Sequence, residues 1–453
     1  MRKLNINDLR KDYPEFIYKN YEINELEDKI ILEFKFEIKG LQEFNPRIEI
    51  EKKDFIFKKL NTNIAKNIVF NIGMVEAISY FKATCSPNFI VECGDLNEEQ
   101  IKWYEKLIYL GLGELRYVNN IKISKDEFVK IISKGNKIEL EECKNEFDGI
   151  LIPVGGGKDS NVTLDLLDEF KDKINPIYIG KKQIPLNCAI TAGYERDEII
   201  EINRILDKNI IELNNRGFIN GHTPFSAMVA FTTYFIAYIL GRKYIALSNE
   251  DSANETNVKD DNINHQYSKT IEFENDFRNY AKNYLGTKIE YFSMLRPINE
   301  LQIAMLFSRI EKYHKIFKSC NVGSKGDIWQ WCNNCPKCLF VYTILSPFLY
   351  KEKLVNIFGE DLFQKQELLK TFIELCGYGE VKPFECVGTF DEVKFAVTKT
   401  ISNLKDDNLP FLLKYYKENF DLYDLNEDKL HYFNENNNVP EEFKEILKRR
   451  IFE

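Results

Sequence analysis

The chain has 453 residues, 44% of them hydrophobic, with 34 Phe and 24 Tyr, which is the composition of a packed globular protein and not of a disordered one. The 62 Lys and Arg set against 71 Asp and Glu leave a net charge of −9, so the chain lacks the basic character of a non-specific nucleic-acid binder. At roughly 100–200 residues per domain, two or three domains are expected.

The first stretch, "MRKLNINDLRKDYPEF", carries charges throughout and has none of the apolar core of a signal peptide. The expectation is a cytoplasmic protein whose ten cysteines are reduced, catalytic or metal-bound rather than disulfide-linked. "KIILEFKFEI" alternates in strand fashion, with Ile31, Glu33, Phe34, Phe36 and Ile38 set against Leu32. "VFNIGMVEAISYFKATC" reads as a helix running into a turn, and a second helix is predicted over 98–109. These elements make residues 1–145 an α+β amino-terminal domain.

Beyond that boundary the pattern changes. Strand-length apolar runs at 150–154, 177–179, 199–202, 244–247 and 289–292 alternate with helical segments. Val162, Leu166, Leu167 and Phe170 mark one face of the first of these helices. Strands alternating with helices predict an α/β domain, here 146–347, with a five-stranded parallel sheet covered by helices on both faces. Such sheets bind ligands at the carboxyl ends of their strands, where strand order reverses. The apolar run 224–240 contains Ser226, Thr232 and Thr233 and is only at the lower limit of a membrane span, so it is read as a buried helix. Residues 348–453 read as a helical carboxyl-terminal region.

Between the first strand and its helix lies "VGGGKDS". Gly155, Gly156 and Gly157 leave the backbone bare at a helix start, where free N–H groups and the helix dipole favour an anion. Lys158 adds positive charge, and Asp159 and Ser160 suit the first turn. The P-loop pattern fails at Ile152 and Asp159, and the dinucleotide pattern fails at Ser160. "GGGKDS" instead resembles the S-G-G-x-D-S loop of the PP-loop (adenine nucleotide alpha hydrolase-like) ATP pyrophosphatases, with Gly155 in place of the first serine. That resemblance implies ATP as the anion. A glycine turn without ligand is the plainer alternative.

"NGHTPFSA" is a second helix start, with Thr223 as the expected cap, Pro224 in the first turn and His222 as a candidate acid, base or phosphate contact. The fourth strand ends in Ser248, Asn249, Glu250 and Asp251. Carboxylates beside a triphosphate are natural Mg²⁺ ligands. "NHQYSKTIEFE" then groups His265 and Lys269 close together. Cys332, Cys335 and Cys338, with Cys320 upstream, have the spacing of a thiolate zinc site. An iron–sulfur run would want a cysteine at Tyr342, and a three-cysteine site completed by His314 is the other possibility. Cys85 is a candidate reactive thiol, although a lone cysteine is more often simply buried.

Taken in order, "FKATCSP", "LGLGELRYVNN", "PVGGGKDS", "NGHTPFSA", "YIALSNEDSANE", "NHQYSKTIEFE", "YFSMLRPINELQIA", "SCNVGSK", "WCNNCPKCLFVYTILSPFL" and "KPFECVGT" resemble the ATP-dependent UDP-N-acetylmuramoyl-L-alanyl-L-glutamate epimerases of bacterial wall synthesis, the MurL family. The similarity runs from about residue 70 to 390. It implies that ATP adenylates the α-carboxylate of the terminal L-Glu of UDP-MurNAc-L-Ala-L-Glu. The Cα proton is then removed and returned on the other face, and hydrolysis leaves D-Glu, AMP and pyrophosphate. Under this reading the loop residues 155–160 with Ser248, Asn249 and Glu250 hold ATP and Mg²⁺. Asp159, His222, His265 and Lys269 are the candidate catalytic residues, with Cys85 as a further proton-transfer candidate. Arg196, Arg278, Arg296 and Lys325 are available to the UDP diphosphate. The cysteine cluster also resembles the zinc site of 7-cyano-7-deazaguanine synthases, so another PP-loop adenylating enzyme, of that kind or a tRNA-modifying one, is the alternative. A non-catalytic nucleotide-binding scaffold is the third reading.

Overall fold

A computed structural model describes residues 4–452 apart from 54, 56, 140–142, 144, 145, 181, 182, 258–262, 321, 324–329, 380 and 405–407. The strands are β1 Glu15–Glu25, β2 Lys29–Ile38, β3 Gln42–Phe44, β4 Arg47–Glu51, β5 Asn88–Val91, β6 Lys130–Ser133, β7 Ile150–Pro153, β8 Ile174–Ile179, β9 Ile200–Ile205, β10 Tyr244–Leu247 and β11 Glu290–Ser293. All eleven belong to one mixed sheet, in the order β11-β10-β7-β8-β9-β4-β2-β1-β5-β6 with β3 on β2.

The five expected α/β strands, β7 to β11, are mutually parallel. The sheet does not end with them, as the sequence pattern had implied. β4 pairs antiparallel with β9, placing Arg47 opposite Ile205 and Ile50 opposite Ile202. The outer edge of β9 would otherwise present a row of unpaired backbone groups, and β4 covers it. Periodicity identifies a strand but carries no signal of its partner.

In β2 the buried residues are Ile30, Leu32, Phe34, Phe36 and Ile38. A strand repeats every two residues, so Ile31 falls on the opposite face from Phe34, and the expected grouping of the two is corrected. The same period divides the parallel strands between two cores. Leu151, Ile177, Ile245 and Tyr291 join the core built with helices Asn63–Glu76, Phe225–Leu240 and Ile271–Tyr284. Their neighbours Ile150, Ile152, Tyr178, Ala246 and Phe292 join the core built with helices Glu300–Ser308, Pro336–Leu345, Phe390–Asn403 and Glu441–Phe452. The carboxyl-terminal helices are thus one cover of the parallel sheet.

The helix Phe225–Leu240 is apolar on nearly all sides because both its flanks are buried, and it packs on Asn63–Glu76. Among the described residues no helix is long and apolar enough to cross a membrane.

Strand order sets the place of the site. β8 lies on one side of β7, and the chain returns to the other side with β10. The carboxyl end of β7 is therefore a switch point, and a crevice opens between the loops that leave β7 and β10.

Candidate active site

A cavity of about 420 Å³ occupies that crevice. It is walled by the loop after β7, the ends of β8 and β10 and the start of helix Phe225–Leu240. Lys269, Lys318, Ser319, Lys337 and Cys386 complete it. Gly156 has φ +85°, and a Cβ there would stand 2.8 Å from Ile184 Cγ2, so only glycine makes this turn without strain. Gly157 caps the helix Lys158–Leu166 without any side-chain hydrogen bond to the first-turn amides. Those amides remain available to an anion in the cavity. A Cβ on Gly155 would meet nothing within 4 Å. Ser319, whose Cβ lies 3.3 Å from the position a Gly157 Cβ would take, has a buried hydroxyl with no hydrogen-bond partner among the described residues.

Lys158 is placed differently from the expectation. The residue is 1% exposed, and its ammonium is held between the carboxylates of Asp159 and Glu300. Its charge is thus neutralised within the protein instead of standing free at the phosphate site. Burial disfavours that charge, but Asp159, Glu300 and Glu250 outweigh it and raise the Lys158 pKa. Burial also opposes ionisation of Asp159, yet Lys158 and Lys337 hold its carboxyl below the usual range. Glu300 goes the other way, because burial pushes its carboxyl up even beside Lys158. Ser160 Oγ donates to the Gly157 carbonyl at 3.2 Å. At the end of β10, Ser248 shares a 2.8 Å hydrogen bond with Thr163, and Asn249 Nδ2 donates to Ser293 Oγ at 3.1 Å, which leaves Glu250 as the second carboxylate on the cavity wall beside Asp159.

The arginines considered for a diphosphate have other duties. Arg296 is fully buried and donates to the carbonyls of Glu250, at 2.6 Å, and of Lys269, while also meeting Glu274 Oε2 at 3.4 Å. It clamps two cavity segments together from behind. Arg278 donates to the Tyr291 carbonyl at 2.7 Å. Arg196 is exposed on the segment leading into β9, at the amino-terminal ends of the parallel strands and away from the cavity at their carboxyl ends. Lys325 lies outside the described residues.

A second group of side chains adjoins the cavity. His265 Nδ1 meets Glu114 Oε2 at 2.5 Å, and the His222 ring lies on the His265 ring with centroids 4.2 Å apart. Lys269 Nζ donates to Cys386 Sγ at 3.2 Å, and His265 acts electrostatically on the same sulfur. The Lys337 ammonium donates to the Cys386 carbonyl. Burial opposes the Cys386 thiolate, but Lys269, His265 and Lys337 overcome it and lower the thiol to about 6. Burial likewise opposes charge on His265, but Cys386 and Glu114 raise it to about 9. His222 is lowered to about 4, by burial first and then by His265. Asn257 ties the two loops that meet here. Its Oδ1 accepts from the His265 amide at 2.8 Å, its Nδ2 donates to the Pro383 carbonyl at 3.1 Å, and its own carbonyl accepts from the Lys382 amide at 3.1 Å.

Two expectations are corrected. Pro224, not Thr223, occupies the cap position of the 225–240 helix, with no side-chain cap. Cys85 is fully buried, and burial pushes its thiol up to about 12, so it is not a reactive thiol. The residues that sequence reasoning missed are Cys386, Lys337, Lys318, Ser319 and Glu300. Lys318 and Ser319 directly precede Cys320, and Lys337 sits inside the C-x2-C-x2-C run, so proximity to the cysteine motif was their one available signal.

Among the described residues, Cys320, Cys332, Cys335 and Cys338 bring their sulfurs together. The separations are 3.9 Å for 320–335, 3.7 Å for 332–338 and 3.5 Å for 335–338. Four sulfurs about 2.3 Å from a shared centre in a tetrahedron stand about 3.8 Å apart, so the set fits a zinc ion. His314 does not join it, because its Nε2 is engaged with the Phe307 carbonyl at 3.1 Å.

Two family models match the chain. One described as the MurL N-terminal domain matches residues 7–294, and one described as the MurL C-terminal domain matches 316–428. The chain is similar to three proteins named UDP-N-acetyl-alpha-D-muramoyl-L-alanyl-L-glutamate epimerase. It is 30% identical over 332 residues to that of Xanthomonas oryzae pv. oryzae (strain MAFF 311018), which is 72% of each chain. It is 33% identical over 338 residues to that of Micromonospora sp. (strain ATCC 39149 / NRRL 15099 / SCC 1413), which is 72% of this chain and 73% of that one. It is 31% identical over 336 residues to that of Salinispora tropica (strain ATCC BAA-916 / DSM 44818 / JCM 13857 / NBRC 105044 / CNB-440), which is 72% of this chain and 71% of that one.

Proposed function

The chain belongs to the MurL family and is an epimerase of the terminal glutamate of UDP-MurNAc-L-Ala-L-Glu, and we propose that ATP drives the inversion from the cavity at the end of β7. The observation that carries this is the uncapped helix start at Gly157, open to a cavity that also holds Asp159, Glu250, Lys318 and Lys337. The parallel order β11-β10-β7-β8-β9, with its switch at the glycine loop, supports a PP-loop core.

A carboxylate resists loss of its α-proton because the carbanion would add charge beside existing charge. The substrate α-carboxylate oxygen attacks the α-phosphorus of ATP, and pyrophosphate leaves into the loop amides and the Ser319 hydroxyl. The mixed anhydride no longer carries the carboxylate charge, so Cα–H becomes acidic. A base takes the proton, the enolate is protonated on the other face, and water releases D-Glu and AMP. Asp159 and Glu250 would hold Mg²⁺, whose charge offsets that of the phosphates. The four cysteines would hold Zn²⁺ in a structural role, because all four ligand positions are filled. Lys318, Ser319 and Lys337 are tethered to that cluster by sequence, so the metal would set one wall of the cavity.

The test incubates the protein with ATP, Mg²⁺ and UDP-MurNAc-L-Ala-L-Glu and measures AMP, pyrophosphate and the chirality of the glutamate. AMP and D-Glu rising together support the proposal. ADP in place of AMP, or D-Glu formed without ATP, overturns it. Asp159→Asn is expected to abolish AMP release with the far-UV spectrum retained.

A further inference from the structure

An epimerase needs a basic group at Cα, and most candidates on this cavity are already committed. The Lys269 ammonium is kept charged against burial by Cys386, Glu250 and Asp159. His265 is kept as an imidazolium between Cys386 and Glu114. His222 lies against the ring of His265 and is not part of the cavity wall. Asp159 is taken by Lys158, and Glu250 shares its wall. Cys386 is different. It is half-buried, lines the cavity, and its sulfur accepts a hydrogen bond from Lys269 with the His265 charge acting on it as well.

We propose that Cys386 is the base that removes the Cα proton of the substrate glutamate, with Lys269 and His265 as positioning residues that hold its sulfur as a thiolate at the cavity wall. The proposal rests on the reading of the cavity as the site where the glutamate carboxylate is activated. The Cα–H bond breaks and the proton goes to Sγ. The bonding pair moves into the Cα–C bond, and the carbonyl π pair moves to oxygen, giving the enolate of the acyl adenylate. A solvent-derived proton on the opposite face restores Cα, and the Cys386 thiol returns its own proton to solvent. No oxidant or further reactant is needed.

Geometry supports this assignment in three ways. The backbone at residue 386 is fixed by Lys337, whose ammonium donates to the Cys386 carbonyl. The approach to it is fixed by Asn257, which holds Pro383 and His265 in one frame. His265 is oriented by Glu114, a residue of the amino-terminal half, so both halves of the chain must pack before the His265 charge is held near the sulfur. The charged and titratable groups that act on the thiolate are Lys269, His265 and Lys337, with Glu114, Glu250, Asp159 and His222 behind them. The cations dominate, and the lowered thiol follows from that arrangement.

The experiment runs the full-length protein with ATP, Mg²⁺ and UDP-MurNAc-L-Ala-L-Glu in D₂O and measures deuterium at Cα per AMP released. In Cys386→Ser this ratio is expected to fall by about 100-fold or more, the usual worth of a positioned base. An unchanged ratio overturns the proposal. Wild-type protein that exchanges Cα–H without releasing AMP would overturn the ATP reading and leave the base assignment standing, so the two failures are distinguishable. Should Cys386→Ser release no AMP, alkylation of the wild-type protein by iodoacetamide, mapped by peptide mass, decides. Cys386 is expected to titrate with a midpoint near 6, to be shielded by substrate, and to shift upward in Lys269→Gln. A midpoint at the ordinary thiol value of about 8.5, or no shielding, overturns the assignment.

Discussion

Gly155 and Gly156 are neighbours in one loop, yet the structure sets them far apart in tolerance. Replacing Gly156 by Ala forces a side chain into the left-handed region at φ +85°, which costs about 1–2 kcal/mol. The new methyl would also stand 2.8 Å from Ile184 Cγ2 and 3.2 Å from the Pro185 nitrogen. The isoleucine methyl can rotate away, but the proline nitrogen belongs to the backbone of helix Gln183–Thr191 and cannot. Overpacking of that kind adds about 1–3 kcal/mol. A loss of about 2–5 kcal/mol is therefore expected in urea unfolding, with AMP release falling because the loop amides shift. Gly155→Ala is the control. Its φ is not in the left-handed region and its Cβ meets nothing within 4 Å, so stability stays within about 0.5 kcal/mol of wild type or rises slightly. A Gly156→Ala protein that unfolds within about 0.5 kcal/mol of wild type and releases AMP at full rate would refute the placement of this loop.

Metal analysis is expected to find zinc at one ion per chain, and Cys335→Ser to lose both the zinc and most AMP release; full AMP release from a metal-free chain contradicts the link between the cluster and the cavity wall. Arg296→Met leaves the Glu250 and Lys269 carbonyls and Glu274 without their shared donor, so about 3–5 kcal/mol of stability is lost, and a loss under about 1 kcal/mol in urea would argue against the clamp. The two neighbouring histidines titrate in opposite senses. His222 sits at about 4 in the fold, below its ordinary value of about 6.5, so its contribution to stability is present above pH 6.5 and lost as pH falls through 4. His265 is raised to about 9, so its contribution is complete below pH 6.5 and lost as pH rises through 9. Urea unfolding against pH is expected to flatten on the acid side in His222→Gln and on the alkaline side in His265→Gln; the same pH slope in both variants refutes the assignment.

Strand periodicity made the parallel core readable. The runs beginning at Ile150 and Tyr244 are short, apolar and bounded by glycine or polar residues, and they appear as β7 and β10 with their buried faces shared between two cores. The join between β9 and β4 was not readable, because pairing between residues as far apart as Arg47 and Ile205 leaves no local trace in either strand. The glycine loop showed its position and its open helix start, but not the direction of Lys158. That direction is set by Glu300, 142 residues away, whose buried carboxylate meets the Lys158 ammonium. A lysine next to a glycine loop looks like a phosphate ligand until its counter-ion is known.

Cys386 shows why the proton-transfer chemistry was the least legible part. In "KPFECVGT" it is one cysteine between a glutamate and a valine, with no spacing that marks a ligand or a nucleophile. Everything that makes its sulfur acidic lies elsewhere in the chain. Lys269 is 117 residues upstream, and Glu114, which orients His265, lies 151 residues before that histidine. The four cysteines of the cluster were visible because their ligand set is local, three of them within seven residues. A thiolate made by long-range donors has no such signature. Moving Lys269 or His265 by a few ångströms would return Cys386 to an ordinary buried thiol without changing a residue near it. Its reactivity is thus a property of the assembled fold, which is why Asn257 and Arg296, neither of them a reacting group, are placed to govern it.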